Sequence, residues 1–256
     1  MTRVDVSQFL TNSTTARWGS ALAEKGGFVV TRLDNTLRAK RMAVLRGLDV
    51  KVVLDIGANA GQWALELRES GYSGRIISFE PAPGPFRELE AMAKSDRRHT
   101  CVQVGLGGSD GEAQLLVTRA SESSSFRDPV GNSGSSRHTG IEERVTVPVR
   151  CLDSLLPSLT TDTGRFYVKI DTQGFEREVL AGAKEALSRA DAVELEMSLV
   201  ELYDGQALLP ELWEVLTQAG FRPAWLERGY RDIDDIWLLQ VDGLFVREKA
   251  WAGQRC

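Results

Sequence analysis

From Lys51 onward the chain alternates short apolar runs with helix-patterned stretches, and that rhythm leaves few folds open. Residues 51–56 form a brief apolar run closed by a glycine-rich turn, the pattern of a strand buried on both faces. Residues 62–70 read as a helix stopped at Gly71. A second strand (75–79), a helix with proline in its first turn (85–94) and a third strand (100–104) follow. The rhythm returns with a helix near 151–157, a strand at 166–170, a helix around 177–188, a strand at 192–197, a helix at 210–219 and β runs near 222–226 and 243–247. Alternating β and α units predict a doubly wound α/β sheet with helices on both faces. Right-handed crossovers place the strand C-terminal ends on one rim, and ligands bind there at the switch in strand order.

Two segments break the rhythm. The first fifty residues look helical and polar, with Leu33, Leu37, Val44, Leu45 and Leu48 on one face and arginines opposite. They are expected to pack on an edge of the domain or to lid a pocket. Residues 114–118 and 144–149 are β-like, and the Ser/Gly-rich stretch between them, 121–140, predicts a mobile loop or lid. The expected organisation is a helical N-terminal extension (1–49) followed by one α/β domain (50–256).

Composition narrows the function. A formal net charge of −5 disfavours a general nucleic-acid binder. Three scattered cysteines (Cys101, Cys151, Cys256) fit no disulfide or C-x-x-C framework and suggest thiols in a reducing compartment. No apolar run reaches the ~20 residues that span a bilayer, and the start does not read as a signal peptide. A cytoplasmic protein is expected.

The sharpest motif is Asp55-Ile-Gly57-Ala-Asn59-Ala-Gly61, at a strand-to-helix turn. Gly57 and Gly61 let backbone approach a ligand. Bare amides at the helix start suit a carboxylate, and Asp55 suits an ammonium. Glu80 ends the second strand, where an acid in nucleoside-binding folds accepts from ribose hydroxyls. A pyrophosphate cofactor fits less well: G-x-G-x-x-G is absent, and Asp55 would repel it. S-adenosylmethionine, with its ammonium, matches the turn.

The set VVLDIGANAGQWAL, IISFEPAPGPFREL, VQVGLGGSDGEAQL, VPVRCLDSLL and FYVKIDTQGFEREVLAGA resembles the FkbM-type methyltransferase family. The similarity runs from about residue 50 to 247. It implies a Rossmann-like fold, mostly parallel with an antiparallel last strand, with S-adenosylmethionine as donor. It also implies a hydroxyl acceptor, on a sugar, glycolipid or polyketide-type small molecule.

Methyl transfer asks for alignment and, for an alcohol, a base or metal. Asp171 ends the fourth core strand on the cofactor rim and is expected near the transferred methyl. Glu196, at the next strand's end, is a second catalytic candidate. His138, in the Ser/Gly loop, is a third if the loop closes. Asp171, Glu176 and Glu196 offer oxygen ligands for Mg²⁺, although Glu176 equally suits a helix N-terminus. Gly105 and Leu106 are expected beside the adenine. His99 is expected to be exposed, and Tyr203 either to stack on a sugar or to pack. The resulting reading is an O-methyltransferase acting on a small molecule or saccharide. N-methyl transfer, a non-catalytic nucleotide binder and a homodimer stay open.

Overall fold

The computed structural model describes residues 36–130, 140–160, 165–230 and 236–252. Seven strands form the main sheet: β1 (Val52–Ile56), β2 (Arg75–Phe79), β3 (His99–Val102), β7 (Phe166–Ile170), β8 (Ala190–Ser198), β9 (Phe221–Arg228) and β10 (Gln240–Arg247). Their order is β3-β2-β1-β7-β8-β10-β9. The first five pair in parallel, and β10 runs antiparallel to both neighbours. The expected doubly wound, mostly parallel sheet with an antiparallel last strand is the observed one. The order reverses between β1 and β7, so the ligand crevice belongs at their C-terminal tips.

Helices cover both faces, which is why every residue of β1 and β7 is buried. On one face Leu54, Ile56, Phe166, Val168, Val193 and Leu195 meet α4 (Leu152–Leu159), α5 (Glu176–Ala181), α6 (Lys184–Arg189) and α7 (Leu209–Gln218). On the other, Val53, Ile76, Tyr167 and Leu244 meet α1 (Leu37–Gly47) and α2 (Gln62–Glu69). The helix α3 (Pro83–Ala93) has proline in its first turn, where no N–H is required.

Helix α1 buries Leu37, Val44 and Leu45 as its pattern predicts. Arg41 departs from the expectation that the arginines face water: it is buried with them.

Three strands between residues 105 and 150 build a second, smaller sheet that the sequence reading did not separate from the first. Its strands are β4 (Gly105–Leu106), β5 (Gly111–Thr118) and β6 (Ile141–Arg150), in the order β4-β6-β5. Leu115 and Val147 pack on Ala82, just past the end of β2. The arm therefore folds over the rim of the main sheet.

The expected mobile loop is partly fastened there. Ser125 pairs with Leu116, Ser125 Oγ donates to the Gln173 carbonyl at 2.6 Å, and Val130 N donates to Leu202 at 2.9 Å. Arg127 donates to the Asp204 carbonyl and to Glu178. Residues 131–139, His138 among them, lie outside the described residues. No helix among the described residues is long and apolar enough to cross a membrane.

Candidate active site

A cavity of about 340 Å³ opens at the β1/β7 switch point, within the range of small-molecule sites. Gly57, Asn59, Glu80, Gly105, Leu106 and Asp171 all line it, so residues from four separate segments meet as the motifs suggested. Trp63, Lys169, Gln173 and Phe126 also line it, and the sequence reading gave none of them a role in the site. Asp55, Gly61, Glu176 and Glu196 are not among the lining residues.

The glycine turn is tighter than expected. Gly57 has φ of 75°, and a Cβ there would stand 1.8 Å from the Asp171 carbonyl oxygen. Its bareness lets the tips of β1 and β7 touch. The expected bare amides of the turn are engaged: Gly57 and Ala58 donate to Phe79, Asn59 to Glu80, Ala60 to the Asn59 side chain and Gly61 to Ala58. The amides that an α-helix leaves unpaired belong instead to the first turn of α2, where Gln62 and Trp63 line the cavity. Gly61 serves packing, since a Cβ there would meet Met92 at 2.3 Å.

Asp55 is fully buried and meets an internal cation. Alternation along the strands places Ser78, Asp55, Lys169 and Glu194 in register across β2, β1, β7 and β8. Lys169 Nζ stands 3.5 Å from Asp55 Oδ1 and 3.5 Å from Asp171 Oδ2, and donates to the Gly57 carbonyl at 2.9 Å. Burial opposes its charge, yet the Asp171 and Asp55 carboxylates outweigh burial and hold the ammonium protonated. Ser78 Oγ donates to Asp55 Oδ2 at 3.1 Å and contacts His99 Nε2 at 2.9 Å. His99 is thus tied into the row rather than exposed, and burial lowers its pKa.

Glu80 receives the amides of Asn59 and Ala82, one on each oxygen at 2.8 Å. Burial nevertheless pushes its pKa up to about 7, against those two hydrogen bonds and Lys169.

Asp171 is partly open, its side chain 37% exposed. The Gln173 amide donates to Asp171 Oδ1 at 2.8 Å and to Glu196 Oε2 at 3.0 Å. Gln173 Oε1, on the side chain, accepts from the Tyr203 hydroxyl at 2.9 Å. Gln173 holds this position with φ of 54°, a left-handed conformation that a side chain adopts only at a cost. Glu196 is partly buried, and desolvation, with Asp171, Asp242 and Glu176 nearby, raises its pKa above the ordinary carboxylate value. Tyr203 is buried and packs.

The proposed Mg²⁺ trio does not assemble. Glu176 folds back on its own turn, accepting from Thr172 N, Thr172 Oγ1 and Gly174 N, which is the helix N-terminal role. An amide already fills the gap between Asp171 and Glu196. Among the described residues no group of three His, Cys, Asp or Glu side chains is placed to hold a metal ion.

The residues present fit an adenosyl amino acid. Gly105 offers bare backbone where a Cβ would press within 2.5 Å of the Phe126 ring, and Val104, Leu106 and Leu115 make the surrounding wall apolar. Glu80 offers carboxylate oxygens for hydroxyl donors, and the first turn of α2 offers amides for a carboxylate.

Comparison with known proteins shows the family. The methyltransferase FkbM domain family matches residues 55–223. A curated relative, 2-O-methyltransferase NoeI of Sinorhizobium fredii, is 27% identical over 177 residues, 64% of this chain and 70% of that protein. Two solved structures are more remote. Magnesium protoporphyrin IX methyltransferase of Synechocystis is 12% identical with a TM-score of 0.43, covering 97% of this chain and 100% of that one. An rRNA methylase of Streptococcus thermophilus is 10% identical with a TM-score of 0.47, covering 85% and 99%.

Proposed function

The chain belongs to the FkbM methyltransferase family, a class dependent on S-adenosylmethionine, and from that premise we propose that it methylates a hydroxyl of a small molecule or saccharide. The observation that carries this reading is Asp171. It stands at the tip of β7 on the cavity wall, partly open, with its carboxylate aimed by the Gln173 amide and the Lys169 ammonium. An alcohol needs such a base, whereas a neutral amine does not. The name of the NoeI relative, a 2-O-methyltransferase, supports the same class.

S-adenosylmethionine supplies a sulfonium-activated methyl group when bound. In this reading Glu80 accepts from the ribose hydroxyls, Gly105 and Leu106 flank the adenine, and the first turn of α2 receives the carboxylate. Gly57 and Asn59 shape the turn. Asp55 acts through Lys169, which it keeps charged, rather than by touching the ammonium. Asp171 would take the acceptor's O–H proton while that oxygen bonds the methyl carbon and the carbon–sulfur bond breaks, leaving a neutral thioether. Glu196 holds Gln173 from behind and so keeps Asp171 in place. Closing the site against water strengthens each of these interactions.

The test uses radiolabelled donor and a panel of methyl glycosides. Asp171→Asn should keep affinity for S-adenosylhomocysteine within about threefold while turnover falls by roughly 10²–10⁴. Undiminished turnover, or label recovered on nitrogen, would overturn the proposal.

A further inference from the structure

Helix α1 lies upstream of the family match at residues 55–223 and does not line the cavity, yet its Arg41 packs on Trp63, which does. Its Arg41 is 4% exposed, a rare setting for a guanidinium. Nε and Nη2 donate to the two Glu194 oxygens at 2.7 Å each, and Nη1 donates to Glu66 at 2.7 Å. The same guanidinium sits over the Trp63 ring, 4.7 Å from its centroid. Trp63 Nε1 donates to Glu194 Oε1 at 3.1 Å, and the Tyr167 hydroxyl donates to Glu194 Oε2. The indole is thus held on its face by Arg41 and at its edge by the carboxylate that Arg41 neutralises.

A buried ion pair is weak evidence of stabilisation, because well-packed apolar residues often serve as well or better. What apolar residues cannot do is fix one orientation of an indole through its N–H. Trp63 is in the first turn of α2 and lines the cavity beside Gln62. We infer that Arg41 is a positioning residue for the donor site: through Glu194 it sets the Trp63 indole, and donor affinity therefore depends on a helix outside the matched region. The inference rests on reading the cavity as the S-adenosylmethionine site.

Calorimetry with S-adenosylhomocysteine on the full chain tests it. Arg41→Lys keeps the charge but loses the bidentate fork and the stack, and Trp63→Phe loses the indole N–H. Each should weaken binding about tenfold, and the double variant should be within about twofold of Trp63→Phe alone. Leu45→Ala thins the packing of the same helix without touching the network. It should lower Tm while affinity stays within about twofold. Independent, multiplying effects of Arg41→Lys and Trp63→Phe would overturn the inference, as would a loss of affinity in Leu45→Ala equal to that in Arg41→Lys. If Arg41→Lys does not fold, Trp63→Phe decides alone: weakened binding supports the inference and unchanged binding overturns it. A wild-type chain that fails to bind S-adenosylhomocysteine overturns the donor reading and the inference together. Binding that is weakened by Glu80→Ala but not by Arg41→Lys overturns the inference alone.

Discussion

Replacing Lys169 with methionine tests the electrostatic centre of this site. The change keeps much of the side-chain volume and leaves Asp55, fully buried, facing no cation. At the observed 3.5 Å separation, Coulomb attraction at an effective dielectric of 20 is worth about 5 kcal/mol. Mutational experience with broken buried pairs gives about 3–5 kcal/mol. The Asp171 contact adds little, because that carboxylate reaches solvent. A loss near 4 kcal/mol is expected at pH 8, or a fall in Tm of roughly 8–16 °C for a chain of this size. At pH 5 the loss should shrink, since an orphaned buried carboxylate can neutralise itself by taking up a proton. Adding Asp55→Asn removes the stranded charge and should restore at least half of the loss. Urea unfolding at both pH values, on the two single variants and the double, measures each quantity. A cost under about 1 kcal/mol at pH 8, or no recovery in the double variant, would refute the picture of Asp55 and Lys169 as a mutually dependent buried pair.

Glu80 makes donor binding depend on pH. Its pKa of about 7 lies above the ordinary 4.5, so the folded chain holds this proton more tightly than the unfolded one. Its stability contribution is full below pH 4.5 and is lost as pH rises through 7. Ribose hydroxyls favour the ionised form, so affinity for S-adenosylhomocysteine should rise about tenfold from pH 6 to pH 8. Glu80→Gln should flatten the profile; a flat wild-type profile, measured by calorimetry, would remove Glu80 from the ribose role. Gly57→Ala forces a Cβ to within 1.8 Å of the Asp171 carbonyl at a positive φ, whereas Gly84, in α3, has open space around it. Thermal melts should show Gly57→Ala destabilised by about 3 kcal/mol or more and Gly84→Ala neutral or stabilised by up to ~1 kcal/mol. Equal effects at the two glycines would show that the turn is not held by strand contact.

The parts of this architecture visible in the sequence are those whose partners are close along the chain. The turn from Asp55 to Gly61 declares itself because strand, glycines and helix start are contiguous. Glu80 does so because the end of a strand is a local event. Glu176 divided its two possible roles evenly on paper, and the deciding contacts, Thr172 and Gly174, are its own neighbours. The arm of residues 105–150 was hidden for the opposite reason. Its supports, Ala82, Gln173 and Leu202, lie tens of residues away, so Ser/Gly composition alone suggested only a loop.

Three polar residues have partners far along the chain. Arg41 was assigned to solvent, His99 to solvent and Asp55 to a ligand, yet each meets a group carried by another strand or helix. Arg41 finds Glu194 at a sequence distance of 153 residues, and Asp55 finds Lys169 only because β7 inserts beside β1. One signal was available: Asp55, Lys169 and Glu194 each interrupt an apolar run at the period-2 position of a single face. A lone charge in such a place cannot be left bare at that depth. Three of them, in three strands of one parallel sheet, imply that the strands are neighbours in register. The row of charge therefore specifies strand adjacency as well as chemistry. A one-residue slip of β7 would carry Lys169 to the opposite face and strand Asp55, so the charged row behind this cavity also penalises the wrong sheet.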